Sequence, residues 1–458
     1  MGGYDGNTTS PISIADHWIY TYATGSNGRS GWSHKYKSET ISQTDGFTFK
    51  GPGAAQNYTF VGTPKDGELT TTINARDSYL VGNPYASAMS SKKFIQDNLD
   101  VTNGSLYFWE HVGEESSSNG SEGHNYGGYV GGYAVRNLSG GVAANSVVDN
   151  NKSNNGTPTL GSGSYTEPKA FIAIGQGFFI QGDDVLSGPI VFNNSQREYV
   201  QEGANSYFFK SENKKPSAKT SLTDTLPIIK LGMSYTNDNN FNLHRQLAIS
   251  FKDNNSFDFD KGYDTEIYDV GTTDIYWKFP NSDEKYVITG VQSISEELEI
   301  PLELVISKDG QVTISIDEWN AINRNVYIKD KLTSTSYLLN DASIVLTLAK
   351  GTYTDRFVLA FSETTKSQVL GIEDVILENN VSIYLDNNAK ELVIENNSNL
   401  ELKKVTLFNL LGQKAAEWNT IETNTTQNRL KISNISESIY IVNIATEKGN
   451  ISKKILVK

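Results

Sequence analysis

Several groups of side chains in this 458-residue chain are spaced as chemistry would space them. Asp253, Asp258, Asp260 and Asp264 fall within twelve residues, with Asn254 and Asn255 among them. Oxygen-rich loops of this kind hold Ca²⁺ in extracellular sandwiches. The set lacks the D-x-[DN]-x-[DN]-G-x₅-E spacing, and Phe257 and Phe259 are expected to alternate inward as a strand would. Trp109-Glu110-His111 with Glu114, Glu115, Glu122 and His124 is the densest collection of Zn²⁺-type ligands. Both histidines flank the loop GEESSSNGSEG, where such residues serve solvation, and no metal is expected there. Trp18, Trp32, Tyr126, Tyr129, Tyr133 and Trp277 could stack on sugars, although sandwiches bury aromatics routinely. Five histidines allow a Ser-His-Asp triad arithmetically, but no G-x-S-x-G, H-E-x-x-H or P-loop pattern supports catalysis. The expectation is a non-enzymatic protein with no cofactor beyond a structural Ca²⁺ at the four aspartates.

The elements that must position these residues are strands. Gly, Asn, Ser, Thr and Tyr are abundant, and short β-branched or aromatic runs alternate with Gly/Asn/Asp clusters. Cysteine is absent, which removes disulfides, thiolate metal sites and cysteine nucleophiles together. The formal net charge of −14 repels phosphate backbones, so nucleic acid is not an expected partner. No apolar run approaches the ~18 residues a membrane helix needs. The start, MGGYDGNTTSPIS, lacks a basic n-region and an apolar h-region, and is read as following a longer parent segment.

Residues 1–210 read as one β-sandwich, with strands such as Leu69–Ile73, Leu106–Trp109 and Gly177–Gln181 and a polar loop over 147–166. Ser90–Asn98 is the best helical segment, with Ser90 or Ser91 as N-cap. Ser211–Thr225 reads as a linker, and 226–362 as a second antiparallel sandwich of jelly-roll type. In it, Gln311–Ile316 alternates with Val312, Ile314 and Ile316 inward, and Asp309-Gly310 signals a hairpin. A second linker covers 363–377, and 378–458 forms a compact all-β unit of seven short strands. Residues 379–458 hold ten Lys and Arg against eight Asp and Glu, a net +2 that leaves −16 for the rest. That contrast marks a separate module with a separate partner.

The tail carries Val405-Thr406-Leu407-Phe408-Asn409-Leu410-Leu411-Gly412-Gln413, then Ser438-Ile439-Tyr440-Ile441-Val442, then Ser452-Lys453-Lys454-Ile455-Leu456-Val457-Lys458 at its end. In order, spacing and terminal placement these segments resemble the type A C-terminal sorting domain of the Bacteroidetes type IX secretion system. Ser438 stands where that pattern has glycine. The resemblance implies an Ig-like sandwich that is the export signal, with Gly412, Tyr440, Lys453 and Lys454 as its sorting residues. It implies passage through the periplasm and recognition by the outer-membrane translocon and a β-barrel shuttle. It further implies clipping by a sortase-like protease within Glu363–Ile376, then attachment through a lipopolysaccharide or release. The cell surface or medium is the implied location.

Upstream, Tyr79–Tyr85, Leu106–His111, Gly131–Ala134, Ile174–Phe179, Ile190–Arg197, His244–Leu247 and Gly262–Asp264 resemble a region of flavobacterial surface, adhesin-like proteins. That resemblance gives architecture and destination; the role expected of the two sandwiches is structural or adhesive. The alternative is a carbohydrate-binding accessory of a polysaccharide-degrading enzyme, with a glycan as ligand.

Overall fold

The computed structural model describes residues 18–22, 31–36, 38–48, 62–111, 131–146, 148–149, 159–160, 165–203, 206–209, 226–238, 240–268, 270–280, 282–363, 381–387, 389–396, 402–409, 414–419, 425–432, 435–446 and 449–457. The chain divides into two compact units, Met1–Glu363 and Thr364–Lys458. Both are built from strands, as the alternating patterns require.

In the larger unit, one five-stranded sheet runs in the order Ser78–Gly82, Gly177–Gly182, Thr102–His111, Gly131–Arg136, Gly141–Val142. Its inner face packs Val81, Leu106, Phe108, Ala134, Phe178 and Ile180 into a core with Ile73, Ile190 and Phe192. The expected helix spans Ser91–Asp97, and the Ser90 hydroxyl accepts the Lys93 N–H as its N-cap. Phe94 and Ile95 turn its apolar face onto that core. Asn98 closes the helix by donating to Phe94 O at 2.8 Å and exchanging hydrogen bonds with the Val191 backbone.

An eleven-stranded sheet carries the other core of this unit. Its centre is the run Asp274–Trp277, Tyr286–Val291, Asn242–Phe251, Ile228–Thr236 and Gly310–Asn320. Val312 and Ile314 are buried and Ile316 packs against them, as the alternation predicts. The pairing is not wholly antiparallel. Asn242–Phe251 lies parallel to Tyr286–Val291, and Phe171–Ile172 parallel to Ser206–Tyr207. The hairpin expected at Asp309-Gly310 does not form. Glu299–Ile306 pairs with Gly351–Ala360, whereas Gly310–Asn320 pairs with Ile344–Leu348. Burying both apolar strands sends them to different neighbours, and the Asp309 carboxylate instead accepts the Lys350 N–H at 2.6 Å.

The sequence reading separates a sandwich over 1–210 from another over 226–362, and the structure joins them. Tyr107, Val135 and Val142 belong to the same apolar cluster as Ile229, Ile249 and Trp277. A buried polar seam reinforces the union: Ser105 and Thr265 hydroxyls meet at 2.7 Å, and Asn137 donates to Tyr263 O and Thr265 Oγ1. Ser250 donates to Ser139 at 2.8 Å. The linker read at 211–225 lies outside the described residues.

Among its described residues the smaller unit contains the seven expected strands in two antiparallel sheets. Val381–Asp386, Glu391–Asn396 and Gln427–Lys431 form one, and Lys414–Trp418, Leu402–Asn409, Ser438–Thr446 and Gly449–Val457 the other. Ile383, Leu392, Ile394, Val405, Leu407, Tyr440, Val442, Ile444 and Ile455 fill the space between them.

Candidate functional site

The outer face of the five-stranded sheet builds a cavity of about 120 Å³. Phe179 sits directly opposite Tyr107, and Tyr133 opposite Trp109, so these side chains share one face. The hairpin of Tyr20–Tyr22 and Trp32–His34 adds Tyr22 and Trp32, and Tyr268 arrives from the second half of the unit. The rings stand nearly perpendicular: Tyr22 to Trp32 at 82°, Trp32 to Phe179 at 81°, Tyr133 to Phe179 at 88°. Ser78, Ile180 and Gln181 complete the described lining. Burial pushes the Tyr107 phenol up to about 12, and burial with the neighbouring Tyr268 and Tyr22 pushes Tyr133 higher still. Both stay neutral at physiological pH.

Of the six aromatics singled out in the sequence, the structure brings Trp32 and Tyr133 together here. Trp277 is core, its indole N–H donating to Ala248 O at 2.9 Å. Trp18 is buried, and Tyr126 and Tyr129 lie outside the described residues. Tyr22, Tyr107, Phe179 and Tyr268 were not legible as site residues. Their convergence depends on sheet register and on chain segments more than a hundred residues apart.

The structure does not gather the four aspartates around a common point. Buried Asp264 accepts from Thr289 Oγ1, the Gly290 N–H and the Asp260 N–H at 2.6–2.9 Å. Burial still dominates and raises its carboxyl to about 7. Asp260 accepts the Ser256 N–H, and Asp253 accepts the Ser293 hydroxyl. Asp258 is exposed. Each carboxylate is turned to a protein donor or to solvent, and among the described residues no three His, Asp or Glu are grouped to hold a metal ion. The inward alternation expected of Phe257 and Phe259 also fails, because the segment is a loop: Phe257 packs on Phe279 and Phe259 is exposed. Of the Zn²⁺-type set, Glu110 is buried and accepts the Tyr165 N–H at 3.0 Å. Glu114, Glu115, Glu122 and His124 lie outside the described residues.

A Ser-His-Asp row does exist. Ser234 Oγ lies 2.8 Å from His244 Nδ1, and His244 Nε2 lies 2.8 Å from Asp317 Oδ2. It spans three adjacent strands, and Gly232 leaves the room, since a Cβ there would collide with both Asp317 and His244. Acyl transfer also needs N–H donors aimed at a developing oxyanion. The strand carrying Ser234 is paired on both sides, which commits its backbone to the sheet. Gln246 donates to the same Asp317 oxygen at 2.9 Å, completing a cross-strand polar ladder.

In the smaller unit, Tyr440 is a core residue whose hydroxyl donates to Ser436 O at 3.1 Å. Lys453 lies on the same row of the edge strand as buried Ile455, yet is exposed, which guards the open edge against pairing. Lys454 is paired with Ile441 in the ladder. Ser438 opens its strand and is not among the residues with positive φ, so its backbone does not require a glycine there. Gly412 lies outside the described residues.

Residues 382–458 match the family described as "Secretion system C-terminal sorting domain". The protein is thereby a type IX secretion substrate, destined for the cell surface or the medium. Among curated proteins none matches the chain. A solved structure described as "Biofilm associated protein - BSP domain" is similar at 10% identity over 86% of this chain and 67% of that one, with a TM-score of 0.15, too low to bear on fold or role. Residues 3–361 match the family described as "Domain of unknown function (DUF8693)", and it is to this family that the chain belongs.

Proposed function

We propose that the chain is a type IX cargo whose terminal domain is of the type A class and is read as a folded address, and that the preceding unit is a non-enzymatic adhesive or ligand-binding body displayed outside the cell. The observation that carries this reading is the separate core of the tail, filled by Leu392, Val405, Leu407, Val442 and Ile444. A small sandwich with its own core presents the same edges and turns whatever cargo precedes it. The partners are then the translocon and its β-barrel shuttle, followed by a sortase-like protease acting in 363–377. A lipopolysaccharide anchor is one fate of the product.

Fusing residues 363–458 to a periplasm-directed reporter, in a host with this secretion system, tests the address. The reporter is expected outside the cell; a reporter held in the periplasm contradicts the reading. For the body, ligand binding without turnover is expected.

A further inference from the structure

The cavity on the five-stranded sheet has a shape and charge that select one kind of occupant. Its volume, about 120 Å³, is below the roughly 300–1,000 Å³ of sites that enclose drug-sized ligands, so it takes a headgroup or side chain and not a whole molecule. Its walls are ring faces and edges in several planes: Tyr22 meets Phe179 at 74°, Tyr107 meets Tyr133 at 88°, and Tyr133 meets Tyr268 at 67°. A sugar ring stacks best on coplanar faces and asks for several side-chain hydrogen bonds. Among the described residues the non-aromatic polar lining is Ser78 and Gln181, and Gln181 already accepts from Asn103 at 3.1 Å.

Charge points the same way. Among the described residues, no lysine, arginine or histidine lines the cavity. Glu266, two residues before the rim residue Tyr268, lies close enough to act electrostatically on Tyr107. Burial raises its carboxyl, and so do the neighbouring carboxylates of Glu284 and Asp184, whose negative field favours an added positive charge there. Aromatic faces attract cations, and a box of such rings is the arrangement that takes alkylated ammonium groups too weakly hydrated to prefer water.

We propose that this cavity binds a methylated ammonium group through the box formed by Trp32, Tyr133, Phe179 and Tyr268, with the Glu266 carboxylate acting on it through space. The inference concerns the body alone and stands or falls independently of export.

The test is a titration of the full chain with choline, followed by calorimetry and tryptophan fluorescence, beside its uncharged isostere 3,3-dimethylbutan-1-ol and beside methyl glycosides. Choline is expected to saturate, with the isostere at least about tenfold weaker because it lacks the charge. Tyr133→Ala is expected to abolish binding, Tyr133→Phe to retain it, and Glu266→Gln to weaken it severalfold. Melting curves of each variant separate lost binding from lost folding, and Tyr133→Phe with Glu266→Gln suffice if Tyr133→Ala does not fold. Phosphatidylcholine vesicles in a sedimentation assay distinguish the source. Choline-competed capture by vesicles assigns a lipid headgroup, and choline binding without capture assigns a soluble cation. Equal binding of the isostere, saturation by a glycoside instead of choline, or saturation by none of these overturns the proposal.

Discussion

Gly104 and Gly262 touch backbone to backbone although 158 positions separate them, and both sit at φ +81°. A Cβ on Gly104 would run into Gly262 Cα and approach Leu99 Cδ1 to 2.9 Å. Here the two halves of the larger unit meet, with the Gly262 N–H donating to Asn103 O at 3.1 Å. Gly104→Ala is expected to cost about 2–4 kcal/mol, combining a left-handed backbone with overpacking. Denaturant unfolding of the full chain measures it, and a midpoint for the larger unit equal to wild type would refute the contact's importance.

Arg245 and Asp274 form a two-pronged ion pair, at 2.7 and 2.8 Å, with both side chains almost wholly buried. Arg245→Ala leaves the Asp274 charge without its cation and is expected to cost about 3–5 kcal/mol. Arg245→Met with Asp274→Leu removes both charges and is expected to cost less than either single truncation. A double mutant less stable than both singles would contradict this.

Burial raises the Asp264 carboxyl from its ordinary 3.8 to about 7. The folded state therefore holds this proton more tightly than the unfolded chain does. The stability it contributes is whole below about 3.8, falls as pH rises towards 7, and is gone above that. Asp264→Asn has no proton to lose, so its stability is expected to fall less between pH 4 and 7.5. Parallel unfolding curves at those two pH values decide it; an identical pH slope in both proteins rules the account out.

The Ser234-His244-Asp317 row is expected to be structural. Release of p-nitrophenol from p-nitrophenyl acetate by wild type and by Ser234→Ala should match, and the substitution should cost about 1 kcal/mol for one lost hydrogen bond. Turnover that disappears with Ser234 would make this protein an esterase and end the non-enzymatic reading.

Deleting Ser452–Lys458 strips the edge strand from Ser438–Thr446 and removes Ile455 from the core of the small unit. Export should stop while the melting transition of Met1–Glu363 persists, because that unit holds its own cores. Loss of that transition in the truncated chain would show the segment to be structural for the whole protein.

Local pattern determined much of this. Alternation and turn chemistry located Leu69–Ile73 and Ile344–Leu348, and Ser90 announced the helix start, because these signals act over a few residues. The three tail segments resembling a sorting domain were legible for the same reason: they are short and lie in order near one end. The tertiary structure alone decided the rest. Sheet partners are chosen by which strands can bury apolar faces together, so Asp309-Gly310 joins two non-adjacent strands of one sheet instead of closing a hairpin. Parallel pairing, the union of the first two regions, and the meeting of Trp32, Tyr133 and Tyr268 all depend on contacts across long stretches of chain, which no local spacing encodes.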